Sequence, residues 1–335
     1  MSAGAHGSPT PASGRVPLPQ LGVLVPLVTP LLPDGAVDGE SFRSLMDFQI
    51  RTGVDGLLVL GSSGEAVALS AAERALAAAI AVEHARGRAH LMIGVPTYGT
   101  KDAAAEAAVL ADLGPDSLLV AAPAGFALSQ PELAVHFRAV GQSCDTPLVA
   151  YEAPTRVGVS LGAELVASLG AEGSIAGVKD SSGDLVKGRV ISQATSGLAG
   201  FVRYTGCEHC IDSAMLAGYN GAIAGLANVF PEFHVELVRR VALGDWAGAS
   251  QVQGYLISLL ELYDYSFAGA SFSAQFFAVV KEALRQRGVI AHGTISAPMT
   301  PADDGLPAHC ERMLRRGAER ADRWAGDHIA EPVSP

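Results

Sequence analysis

This chain is short of lysine. Of its 23 basic residues only Lys101, Lys179, Lys187 and Lys281 are lysines, and arginine supplies the rest. Charge as a whole is scarce: Asp, Glu, Lys and Arg make up 17%, below the roughly 25% of an average soluble protein. The balance is negative, at −11, which argues against a broad footprint for nucleic acid. The locally basic stretch from Arg312 to Arg323 is periodic and reads as a solvated helix face. Long hydrophobic runs are missing too. Ala75 to Val82, eight residues between charged neighbours, is the longest candidate, far below the roughly 18 that a membrane span needs. The opening "MSAGAHGSPTPASGRVPLPQ" has no apolar core of a signal peptide and reads as a disordered extension over residues 1–19. The four cysteines, Cys144, Cys207, Cys210 and Cys310, are too few for a disulfide framework, so a reduced, cytoplasmic protein is expected. "CEHC" at 207–210 has the spacing of a metal or redox pair but no second pair to complete a zinc site. A structural role is expected for it, and no metal.

What the chain does have is apolar residues, 49% of the total, and a regular alternation. Eight short continuous runs recur: "GVLVPLVTP" (22–30), "DGLLVLGSS" (55–63), "HLMIGVP" (90–96), "DSLLVAAP" (116–123), "PLVAYEAP" (147–154), "IAGVKDSS" (175–182), "GFVRYTG" (200–206) and "GAIAGLANV" (221–229). A continuous rather than alternating run is the mark of a strand buried on both faces. Ala-rich stretches of helical length lie between them. Two open on capping boxes, Ser70 with Glu73 and Ser129 with Glu132. The pattern predicts an α/β fold, a (β/α)8 TIM barrel, over residues 20–242. After it only helical periodicity remains, which predicts a C-terminal three-helix extension over 243–325 and a flexible tail over 326–335.

In such barrels the working side chains sit at the C-terminal ends of the strands, which turns chain position into a filter. Lys179 ends the sixth run behind Ile175, Ala176, Gly177 and Val178. Apolar surroundings lower a lysine pKa, and a neutral amine attacks ketones and aldehydes to form a Schiff base. The competing reading is an ion pair with Asp180 or Asp184. Asp180 is poorly placed for it, because neighbours on a strand point to opposite faces. The other lysines read as surface charges on helices. Tyr151 ends the fifth run and either moves protons for such a reaction or is an ordinary buried tyrosine. "GSSGE" (61–65) offers turn glycines, backbone amides and two hydroxyls. These suit a carboxylate or a phosphate, and a plain tight turn is the simpler reading.

Together these residues resemble the dihydrodipicolinate synthase / N-acetylneuraminate lyase family of pyruvate-dependent class I aldolases. The resemblance runs from about Gly22 to Thr300 and rests on "GSSGE" (61–65), "YEAPTRVG" (151–158), "GVKDSSGDL" (177–185) and "GAIAGLANVFPE" (221–232), in the family's order and spacing. It implies that Lys179 forms the Schiff base with pyruvate or another 2-keto acid and that Tyr151 relays protons. Ser62 and Ser63, on the loop from Gly61 to Gly64, would bind the keto-acid carboxylate, with Ser63 continuing the relay. Ile223 would line the pyruvate pocket and Arg156 would meet a second, anionic substrate. It also implies no cofactor and a homodimer or homotetramer.

The sequence departs from the family pattern in places. Where dihydrodipicolinate synthases carry Pro-Tyr-Tyr after the fourth strand, this chain has Pro123-Ala124-Gly125, followed by Phe126, which has no proton to relay. Glu152 replaces a common Asn and is expected to shape the mouth of the site or pair with Arg156. Gly206 and Glu208, in the loop after the seventh strand, are candidates for contacts to substrate hydroxyls, while Gly225 replaces an expected hydroxyl on the eighth strand. The expectation is a lyase that makes or cleaves a C–C bond between pyruvate and a small polar aldehyde. The alternatives are dihydrodipicolinate synthase itself, a 2-keto-3-deoxy acid dehydratase and a non-catalytic keto-acid-binding barrel.

Overall fold

A computed structural model describes residues 15–329 of the chain, with side-chain surroundings to residue 321. Most of the extension and part of the tail expected from the sequence, residues 1–14 and 330–335, lie outside the described residues. Eight strands, β1 (Gly22–Pro26), β2 (Gly56–Val59), β3 (His90–Val95), β4 (Ser117–Ala121), β5 (Leu148–Glu152), β6 (Gly177–Asp180), β7 (Val202–Thr205) and β8 (Gly221–Ile223), pair in chain order. All ladders are parallel, and β1 closes onto β8. The helices are α1 (Gly39–Thr52), α2 (Ala71–Ala85), α3 (Thr100–Asp112), α4 (Gln130–Gly141), α5 (Pro154–Val157), α6 (Ala163–Ala171), α7 (Leu185–Ala194), α8 (Ile211–Leu216), α9 (Pro231–Ala242), α10 (Trp246–Leu260), α11 (Phe272–Gln286) and α12 (Leu306–Ile329). This is a (β/α)8 TIM barrel followed by helices α10, α11 and α12.

The double-sided burial read from the continuous runs has a direct counterpart in two apolar clusters. Outward strand residues such as Val25, Leu57, Ile93 and Val178 pack under the helices. Inward residues Leu24, Leu58, Met92, Leu119, Val149, Val202 and Ile223 fill the barrel. Local signals start the helices where expected. Asp38 caps α1 by accepting from the Ser41 N–H at 3.0 Å, and Ser70 forms a reciprocal capping box with Glu73 on α2. Glu132 on α4 accepts from the Ser129 N–H at 2.8 Å.

Residues 15–20 close the N-terminal end of the barrel. The Val16 N–H donates to Asp116 at 2.6 Å, and the Tyr204 hydroxyl donates to the Pro19 carbonyl at 2.5 Å. At the other end α11 lies over the mouth, so the C-terminal helices do more than extend the barrel. α12 continues to Ile329, into the segment read as tail.

Two lysines are not the surface charges expected of them. Lys281 on α11 is fully buried and pairs with the equally buried Glu65, while its ammonium also donates to the Thr294 carbonyl at 2.7 Å. Lys187 on α7 is half-buried against Glu152. Charge on an apolar helix face is tolerated when a partner from a distant loop neutralises it, and a one-dimensional pattern does not display that partner.

Candidate active site

The barrel register sets the site. Lys179 pairs with Tyr151 on β5 and Tyr204 on β7, so all three are on the inward set of positions. Asp180, one residue on, faces outward, where it accepts from the Tyr219 hydroxyl at 2.7 Å and from the Ser182 N–H at 2.8 Å. Asp184 is occupied in capping α7 through the Lys187 N–H. Neither carboxylate proposed as an ion-pair partner neutralises Lys179.

The Lys179 ammonium lies 4.6 Å from the centroid of the Tyr151 ring, over its face. Burial holds the Lys179 pKa below that of a free lysine. The Arg156 guanidinium pushes the same way, and Tyr151 and Glu208 oppose it. For Tyr151, burial alone would raise the phenol. The positive charges of Lys179 and Arg156 and the hydroxyls of Ser181 and Ser62 outweigh it, lowering the pKa to about 8. A buried amine with depressed basicity beside an acidified phenol is the pairing that imine chemistry uses.

A cavity of about 230 Å³ surrounds the pair, lined among others by Ser62, Ser63, Tyr151, Arg156, Lys179, Gly206, Glu208 and Ile223. The serine loop follows β2 as a short turn over Ser62–Gly64. Leu60 and Glu65 flank it with left-handed φ of 57° and 56°, uncommon for residues with a Cβ. Glu65 is held there by Lys281 and by the Ser296 N–H, which donates at 2.6 Å. Gly206 has a steric reason to be glycine: a Cβ would fall 2.0 Å from the Ser181 hydroxyl and 3.4 Å from the Lys179 Cε.

Three expected site residues stand elsewhere. Gly64 is buried beside the cavity, with its carbonyl accepting from the Thr29 hydroxyl at 2.7 Å. Gly61 lines an adjoining cleft rather than the lysine cavity. Glu152 is fully buried and turned away, accepting from Ser160 and the Leu161 N–H and pairing with Lys187 rather than Arg156. The strand alternation that brings Tyr151 in puts Glu152 out. Glu208 does reach the cavity, but its carboxylate accepts from the Gly225 and Leu226 N–H groups at 3.1 and 2.8 Å, so it is largely committed to the backbone after β8.

Several cavity residues were missed in the sequence. Ser181 was legible in principle, because it lies two residues beyond Lys179. Phe272, Ser273, Phe276 and Phe277 come from α11 and Tyr263 from the turn between α10 and α11, and no local signal marks them. Cys207 and Cys210 flank Glu208. A hydrogen bond from Cys210, against the opposing effect of burial, lowers the Cys207 thiol to about 6. Among the described residues no group of three or more His, Cys, Asp or Glu side chains could hold a metal, and no helix is long and apolar enough to cross a membrane.

The model of the dihydrodipicolinate synthetase family matches residues 19–316. A 4-hydroxy-tetrahydrodipicolinate synthase of Nitrosococcus oceani is 31% identical over 295 residues, 88% of this chain and 97% of that one. One from Anaeromyxobacter dehalogenans is 32% identical over 301 residues, 90% and 98% of the two chains. Among solved structures, a chloride-inhibited dihydrodipicolinate synthase from Acinetobacter baumannii complexed with pyruvate superposes with a TM-score of 0.80. It is 27% identical and matches 89% of this chain and 99% of that one. YagE, a prophage protein of E. coli K12 in complex with pyruvate, gives 0.81 at 25% identity over 89% and 98%.

Proposed function

This chain belongs to the dihydrodipicolinate synthetase family of Schiff-base lyases, and we propose that Lys179 carries its reaction with pyruvate or another 2-keto acid and an aldehyde. The observation that carries the reading is a buried lysine with lowered basicity, with no ion-pair partner among the described residues and a tyrosine ring 4.6 Å away. The neutral amine attacks the keto carbon, Tyr151 gives the proton with which the oxygen leaves as water, and the resulting iminium withdraws electrons from the adjacent C3. Tyr151, with Ser63 continuing the relay, takes the C3 proton and returns it as the C–C bond forms or breaks. Ser62 and Ser63 hold the keto-acid carboxylate through hydroxyls and backbone amides.

The activity named for the relatives, 4-hydroxy-tetrahydrodipicolinate synthase, is the alternative, supported by identity across nearly the whole of each chain. Against it stands the stretch after β4, Pro123-Ala124-Gly125, which offers no phenol. We place the protein in the cytoplasm as a homodimer or homotetramer, a reading supported by the family and by the free thiols of its four cysteines.

The test needs no knowledge of the aldehyde. An enamine formed on Lys179 exchanges the pyruvate methyl protons with solvent, so in D2O the methyl signal in the proton NMR spectrum should fade. Lys179→Ala should abolish the exchange and Tyr151→Phe should slow it about 10²-fold or more. Undiminished exchange in Lys179→Ala would overturn the assignment.

A further inference from the structure

The lysine cavity opens into a second space that the proposed chemistry does not yet use. This cleft has a volume of about 250 Å³ and shares Ser62, Tyr151, Arg156, Ser273 and Phe277 with the cavity. A molecule lying in it would abut the carbon activated on Lys179. Its lining is largely apolar, with Ala121, Val157, Phe277, Pro298 and Met299 among it, and its side-chain hydroxyls are those of Ser62, Ser273, Tyr98 and Tyr151. Of the residues lining it only Arg156 and Glu65 carry charge. The Glu65 carboxylate is already taken by Lys281 and the Ser296 N–H. Arg156 stands at the junction, beside Tyr151 and Lys179. At the rim Val67 is 66% exposed, an apolar side chain left facing solvent at the mouth of an apolar cleft.

Such walls offer few partners to the hydroxyls or charged groups of a polar aldehyde, and polar groups buried without partners weaken binding. They favour a group that makes no such demand. The size agrees, since an apolar cavity of roughly 150 Å³ is enough to hold a benzene ring. On the Schiff-base reading above, we propose that the second substrate is an aldehyde bearing an apolar, ring-sized group, in place of a small polar one. The aldol step balances within the site. The enamine C3 bonds to the aldehyde carbon, and the carbonyl electron pair moves to oxygen, which takes from Tyr151 the proton that had left C3. Water then hydrolyses the iminium, freeing Lys179 and a 4-hydroxy-2-keto acid.

The experiment is an aldehyde panel at saturating pyruvate, with pyruvate proton exchange measured in parallel. Benzaldehyde should exceed glyceraldehyde in kcat/KM by at least about tenfold. Val67→Asp and Met299→Asp, at partly exposed positions that tolerate a charge, should each cut that ratio about tenfold. Exchange with a preference for glyceraldehyde, or a ratio unmoved by both variants, would overturn the substrate class and leave the Schiff base standing. A cleft filled instead by a neighbouring copy of the chain would leave benzaldehyde unconsumed, which also overturns it. Absence of exchange would remove the Schiff-base reading and this inference with it.

Discussion

Two of the four lysines are buried, and their neighbours differ. Lys281 has Glu65 and a backbone carbonyl. Lys179 has no ion-pair partner among the described residues, a tyrosine face and a nearby arginine. Burial lowers the pKa of both; at Lys281 the Glu65 ion pair opposes it directly, while at Lys179 the opposing Tyr151 and Glu208 form no ion pair with it among the described residues. The pH dependence follows with a definite sign. Lys179 must be neutral to attack, so kcat/KM should rise with pH through its lowered pKa. Tyr151 must start protonated, to give the proton on which water leaves before it takes one from C3. The rate should therefore fall again as the phenol ionises, above about 8 because a neutral Lys179 no longer helps to lower it. Tyr151→Phe should lose that descending limb along with most of the rate; a limb that persists would assign it to another group. Lys179 was legible because the chain has few lysines and an apolar strand leads to it. Glu152 was misread as facing the site, although the alternation that set Asp180 aside applies equally to it.

At the scale of elements, the eight strands were legible as apolar runs, but their ends were not. The run 221–229 yields only Gly221–Ile223 as strand, because Leu226–Asn228 form a short turn helix over the barrel mouth. The serine loop is held by groups remote in sequence. Replacing Lys281 by Met would leave Glu65 charged and buried, which costs about 3–5 kcal/mol. Urea unfolding of Lys281→Met should show that loss, and a change under about 1 kcal/mol would mean the pair does not anchor the loop. From the other side, a Cβ at Gly94 would meet the Leu60 carbonyl oxygen at 2.3 Å. Backbone cannot rotate away as a side chain does. Gly94→Ala should therefore push the loop outward, destabilise the fold by about 1–3 kcal/mol and raise KM for pyruvate more than it lowers kcat. An unchanged KM would show that the loop does not set the carboxylate site.

For the whole molecule, the barrel supplies the reacting groups and the C-terminal helices finish the chamber around them. Ser273, Phe276 and Phe277 on α11 face the same cavity as Lys179, and α11 is also the source of Lys281. The sequence shows three helices after the barrel and nothing of where they fold back. That placement depends on long-range packing and on a buried ion pair, neither of which leaves a periodic trace. The chemistry as a whole rests on one covalent bond. Borohydride reduction in the presence of pyruvate, followed by peptide mass spectrometry, should find the reduced adduct on Lys179 and none in Lys179→Ala. An adduct on another lysine, or none on folded protein, would contradict it.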